Sequence, residues 1–148
     1  MRVKKLVYVA VIAVVCLNFG ANAMNDNALG VRICRGAELN YQRALGGGTR
    51  LELGASWAHG GDFFGLRASY HVLHRNIEGG FNWYLGPDAY IALTNDPQVH
   101  GRFKPGIEHD FNVSGVPLLI SLDAPIGIQI IPSTGLSWDI GLGIRWTF

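Results

Sequence analysis

Gly135-Leu136-Ser137-Trp138-Asp139-Ile140-Gly141-Leu142-Gly143-Ile144-Arg145-Trp146-Thr147-Phe148 alternates from end to end. Leu136, Trp138, Ile140, Leu142, Ile144, Trp146 and Phe148 fall on one face. Ser137, Asp139, Arg145 and Thr147, with Gly141 and Gly143, fall on the other. A period of two is that of a strand, where successive side chains point to opposite faces.

The same period runs back through the chain, and no stretch carries a helical one. Odd positions are mostly apolar over 29–45, from Leu29 and Val31 to Leu39 and Tyr41, against Arg32, Glu38, Asn40 and Gln42. Segments 51–58, 63–72, 77–93, 102–113 and 118–130 repeat the pattern. Turn signals lie between them: Gly46-Gly47-Gly48, Gly60-Gly61-Asp62, Asn95-Asp96-Pro97, Ser114-Gly115-Val116-Pro117 and Pro132-Ser133-Thr134-Gly135. The expected fold is all-β, an antiparallel up-and-down barrel of about eight strands.

Alternation suits a soluble barrel with an apolar interior as well as a membrane barrel with a polar one. Glycine placement separates them. Ten of the twenty glycines sit on the polar face: Gly30, Gly36, Gly54, Gly65, Gly80, Gly86, Gly106, Gly127, Gly141 and Gly143. Gly79 alone sits on the apolar face. A narrow barrel is crowded on its concave side, where small residues make room for large neighbours. All four tryptophans, Trp57, Trp83, Trp138 and Trp146, lie on the apolar face. The polar face therefore points inward and the apolar face outward, toward lipid. In a soluble barrel those glycines would face water and weaken strands without a packing gain.

The inward face then carries Arg32, Arg67, Arg102, Lys104 and Arg145 with Glu38, Glu52, Glu78, Glu108, Asp110, Asp123 and Asp139. Five positive and seven negative groups in a thin lumen are expected to pair. Pairing avoids the several-kcal/mol cost of an isolated buried charge.

Seven segments are visible, yet bacterial single-chain barrels use an even number of strands. One long segment must hide a turn. Cys34-Arg35-Gly36 qualifies, with Gly third as in a bulged hairpin and with Arg35 removed from the lipid face. Gly86-Pro87-Asp88 qualifies by turn chemistry. The pattern does not choose between them. Either choice leaves 94–101 as the longest connection, on the extracellular side.

The N-terminus reads as a cleaved secretory signal over 1–23, leaving 24–148 as one barrel domain. Arg2, Lys4 and Lys5 precede the apolar run Leu6 to Leu17, and Ala21-Asn22-Ala23 supplies the small-x-small cleavage pattern. The run is shorter than the ~20 residues a spanning helix needs. Val15 before Cys16 argues against a lipoprotein. Removing 1–23 leaves nine Lys/Arg against eleven Asp/Glu, a formal charge of −2, with no basic patch for nucleic acid. Cys34 then stands alone and forms no internal disulfide.

The chain resembles the small outer-membrane β-barrel proteins of Bacteroidota-type bacteria over nearly all of 28–148. The carriers are Leu29-Gly30-Val31-Arg32 with Glu38-Leu39-Asn40-Tyr41-Gln42, Gly80-Phe81-Asn82-Trp83-Tyr84, Gly106-Ile107-Glu108-His109-Asp110-Phe111-Asn112, Ser121-Leu122-Asp123 and Gly143-Ile144-Arg145-Trp146-Thr147-Phe148. His109 departs from the pattern, which commonly has an aromatic residue there. The resemblance implies a fold and a place in the cell outer membrane, and no reaction. Ile144, Trp146 and Phe148 resemble the sorting signal read by the barrel assembly machinery.

The expected protein is thus a monomeric integral outer-membrane barrel with a structural or surface-interaction role. Its partners would be the lipid bilayer, lipopolysaccharide, and the assembly machinery with periplasmic chaperones. No catalytic residue, metal or cofactor is expected. Two alternatives belong to other classes. A lipid A-modifying enzyme embedded in the barrel needs a His beside a Ser or a carboxylate. Ser69 and His71 share a face, as do Glu108 and Asp110, but such pairs on one strand ordinarily hydrogen-bond in the lumen. His71 and His74 lie on opposite faces and cannot share one ion. A soluble periplasmic lipid or ligand carrier would need its apolar face inside.

Overall fold

The computed structural model describes residues 26–57 and 64–148, with backbone alone at 73–76. The expected signal segment 1–23 and the expected Gly60-Gly61-Asp62 turn lie outside these residues. Twelve strand segments run in chain order: β1 (Asn27–Ile33), β2 (Ala37–Gly46), β3 (Thr49–Trp57), β4 (Phe64–Glu78), β5 (Phe81–Leu85), β6 (Pro87–Leu93), β7 (Gln98–Phe103), β8 (Gly106–Asp110), β9 (Leu118–Asp123), β10 (Ile126–Ile131), β11 (Gly135–Trp138) and β12 (Gly141–Thr147).

These segments make eight staves, because β5 with β6, β7 with β8, β9 with β10 and β11 with β12 are halves of single strands. β4 pairs β6 through Phe64–Ser69 and β5 through its second half. β7 pairs β6 and β10, while β8 pairs β5 and β9. β12 pairs β9 on one side and β1 on the other, which closes an antiparallel up-and-down barrel. Closure gives every strand segment except β11, which pairs β10 alone, a partner on both sides, and so removes nearly all free sheet edge.

The structure chooses the hidden turn. Cys34-Arg35-Gly36 joins β1 to β2, with Ile33 opposite Ala37. Gly86-Pro87-Asp88 stays within a stave. Pro87 has no N–H to give, and the ladder continues through the Gly86 carbonyl, which accepts the Lys104 N–H at 2.8 Å. Similar interruptions follow at Pro105, whose carbonyl accepts from Ala124 at 3.0 Å, and at Pro125, whose carbonyl accepts from Asp139 at 3.0 Å. Four consecutive staves are thus interrupted along one oblique line.

The 94–101 expectation needs correcting. β7 begins at Gln98, so that connection is only 94–97. The longest described connection is 111–117, and it lies at the end of the barrel that holds Asn27 and Phe148. There Phe111–Ser114 forms a 3₁₀ turn. The Asp110 carboxylate accepts the Asn112 N–H at 2.9 Å, and Asn112 donates to the Thr147 hydroxyl at 2.8 Å. The segment folds back onto the barrel end instead of looping free.

Candidate functional site: the barrel interior

Among the described residues the fully buried side chains are mainly polar or charged, and Arg32, Arg145, Tyr84, Lys104 and His71 lead them in size, with Glu38 and Glu52 close behind. The interior is inverted relative to a soluble core. Such burial is tolerable only when charges are paired and their remaining hydrogen-bond capacity is used.

Asp123 and Glu52 are the two hubs. Arg32 on β1 reaches over the intervening β12, above Gly141, to Asp123 on β9. Its Nη2 donates to Oδ1 at 2.6 Å and its Nε to the same oxygen at 3.0 Å. Arg32 Nη1 also donates to Asp139 at 3.3 Å. Lys104 lies 3.5 Å from Asp123 and pairs closely with Glu52. Glu52 further accepts Gln42 Nε2 at 2.5 Å and Arg145 Nη2 at 3.4 Å. Arg145 donates from Nη1 to Ser121 at 2.6 Å and from Nε to Asn40.

Two further clusters flank this centre. Toward the 34–36 turn, Arg67 pairs with Glu38 at 2.8 Å and Arg102 with Asp88 at 2.6 Å. Asp88 also accepts the Ser69 hydroxyl at 2.5 Å. Both guanidiniums lie over the Tyr90 ring, at 5.9 and 5.0 Å. On the other side Arg50 pairs with Glu108 at 2.9 Å and lies over Tyr84, which stacks on His71 at 4.6 Å.

Glycines supply the space. A Cβ at Gly141 would overlap the Arg32 guanidinium, one at Gly106 the Tyr84 ring, and one at Gly54 would sit 2.6 Å from the Glu38 carboxyl carbon. Gly36 and Gly80, read from the sequence as lumen positions, lie instead in connections; Gly80 has φ of +90° in the hairpin after β4.

Of the twelve charged residues read as lumen groups, ten make ion pairs inside: Arg32, Glu38, Glu52, Arg67, Arg102, Lys104, Glu108, Asp123, Asp139 and Arg145. Two do not. Glu78 is exposed at the end of β4, where it shares the parity of the outward Leu66, Tyr70 and Val72 and not that of Arg67 and His71. Asp110 sits where its stave ends, and its carboxylate caps the 3₁₀ turn. Two residues were missed: Arg50 and Asp88. The ion-paired interior among the described residues therefore holds six cations and six anions, not five and seven.

The suggested catalytic pairs do not meet. Ser69 donates to Asp88, while His71 Nδ1 faces Arg50 Nη2 at 3.4 Å. Glu108 serves Arg50 and Asp110 serves Asn112. The Ser–His contact that does form, His100 Nδ1 to Ser137 Oγ at 2.9 Å, joins two staves. Among the described residues no group of three or more His, Cys, Asp or Glu is placed to hold a metal ion.

The outer surface is the complement of the lumen. Trp57, Trp83, Trp138 and Trp146 are 47, 41, 52 and 58 % exposed. Ile144 and Phe148 are exposed beside Trp146. Trp57 and Trp138 lie toward the 34–36 end, and Trp83 and Trp146 toward the end that holds Asn27 and Phe148. No family model, curated protein or solved structure matches the chain.

Proposed function

We propose that the chain is an integral outer-membrane β-barrel whose lumen is filled by paired charges and is not a wide pore. Its role is structural or one of surface interaction. The observation that carries this reading is the inversion of polarity. Arg32, Lys104 and Glu52 are 0 % exposed, while Ile, Leu, Val and Trp side chains cover the outside of every stave. Soluble monomers rarely expose contiguous apolar patches beyond a few hundred Å². A bilayer removes that cost.

Other features agree. From β2 onward each stave spans nine or more residues, near the ~9–11 that a tilted strand needs to cross a hydrocarbon core. Tryptophans toward both ends correspond to the aromatic girdles of membrane barrels. On this reading lipid and lipopolysaccharide surround the outer face. Ile144, Trp146 and Phe148 present the outward aromatic pattern that assembly machinery would read. The carrier alternative loses its support, because the lumen is polar and occupied by its own side chains.

The test is extraction and gel mobility. The barrel should resist osmotic shock, require detergent, and migrate differently in SDS before and after boiling. Release by osmotic shock with unchanged mobility would exclude the proposal.

A further inference from the structure

At the 34–36 end the lumen opens into a cavity of about 310 Å³. Its walls include Arg35, Arg67, Arg102 and His100, with Tyr90 and Trp138. That volume is at the small end of the range for small-molecule sites, about 300–1,000 Å³.

The charge at this mouth is not balanced. The twelve ion-paired groups of the lumen sum to zero. Arg35 is additional: it makes no ion pair among the described residues. Its guanidinium is held in place by the Trp138 carbonyl at 3.3 Å and lies 5.4 Å from the Trp138 ring centre. Asp139, the carboxylate among the described lining residues, is already engaged by Arg32.

Hydrogen-bond capacity points the same way. The Arg67 side chain is 2 % exposed, and its Nη1 has no hydrogen-bond partner among the described residues. A buried N–H left unmade is costly, and each exception calls for a partner. Arg67 and Arg102 share one carboxylate, Asp88, and both rest against Tyr90. Guanidinium groups bind planar and tetrahedral oxyanions through paired N–H donors.

We infer that this cavity binds a small oxyanion, a phosphate group, held between Arg35 at the rim and Arg67 and Arg102 below it. The Tyr90 and Trp138 rings would flank whatever the phosphate is attached to. The phosphate can come from a soluble molecule or from a lipid headgroup, and the chemistry of recognition is the same. The cavity geometry does not depend on where the barrel resides.

The test is calorimetric titration of the folded protein in neutral detergent. The probes are inorganic phosphate and short-chain phosphatidic acid, with short-chain diacylglycerol, which lacks the phosphate, as control. Two variants act by different means. Arg35→Gln removes the surplus charge and leaves the lumen pairs in place. Gln98→Trp adds bulk to the cavity wall. Loss of one charge-assisted hydrogen bond should weaken binding about tenfold or more. Phosphate binding that both variants weaken supports a soluble source. Binding of phosphatidic acid alone, with the same sensitivity, supports a lipid source. The inference is overturned if neither probe binds, or if binding ignores both variants. The boiled-versus-unboiled gel shift, run on each sample, reports the barrel separately, so loss of binding and loss of fold are distinguishable.

Discussion

Arg32 and Gly141 form a pair whose coupling can be measured. A Cβ at Gly141 would occupy the space of the Arg32 guanidinium. Arg32 cannot give way cheaply, because Asp123 holds it from two nitrogens and Asp139 from a third. Gly141→Ala should therefore cost about 1–3 kcal/mol, as overpacking does. Arg32→Ala breaks a buried pair, which costs ~3–5 kcal/mol. Asp123 keeps Lys104 at 3.5 Å and Tyr84 at 3.4 Å, which places the loss near the lower end. In the double variant the overlap is gone, and alanine is better than glycine within a strand by roughly 0.5–1 kcal/mol. The second substitution should then be neutral or slightly stabilising, a coupling of about 1–3 kcal/mol. The assay is urea unfolding in liposomes, followed by tryptophan fluorescence. Glu78→Gln, at an exposed position, is the reference and should cost ~0–1 kcal/mol. Additive penalties would falsify the placement of Arg32 over Gly141. An Arg32→Ala loss no larger than that of Glu78→Gln would mean that water screens the lumen.

Three more outcomes are expected. Ile144→Arg puts a charge on the outward face of β12 and should destabilise the protein in liposomes by up to ~2–4 kcal/mol if it sits at mid-depth; no loss there would contradict a lipid-facing position. Planar bilayers holding the protein should show no steady porin-sized current, since an eight-stranded barrel is just wide enough for its own side chains; regular large openings would refute a filled lumen. Asn112→Ala removes hydrogen bonds to Asp110 and Thr147 and should cost about 1 kcal/mol each, with faster proteolysis at 111–117; unchanged cleavage would show that the segment is held otherwise.

The faces were legible because parity is local: once Trp146 points out, Arg145 points in. Position along the barrel axis was not legible, because it depends on how staves slide past one another. Arg50 shares the parity of Glu52 two residues on, and alternation read one step further back would have found it. Asp88 was obscured by its place in Gly86-Pro87-Asp88, where turn chemistry competes with strand parity. Glu78 failed because it was read with the segment that follows, where even positions point inward; it belongs to β4, whose lumen positions are odd-numbered, as Arg67, Ser69 and His71 are. Asp110 kept its parity but reached the barrel end. The choice of Cys34-Arg35-Gly36 as the turn followed from pairing β1 with both β2 and β12, which no pattern within one strand encodes.

The ion pairs also constrain how the barrel can come together. Six of the nine among the described residues join a stave of the first half, β1–β4, to one of the second half, β5–β12. Arg32 and Asp123 are 91 residues apart, and Arg145 and Glu52 are 93 apart. Contacts so distant in sequence form late and slow folding, because a long stretch of chain must be ordered before they repay its entropy. Neither half is neutral alone: the first carries one excess cation, the second one excess anion. In the bilayer proposed above, a half-formed sheet would have to carry Arg32, Arg50 and Glu52 without those partners into a medium that punishes lone charges. The lumen therefore favours all-at-once closure, in which the last pairing to form is also the one that neutralises the interior.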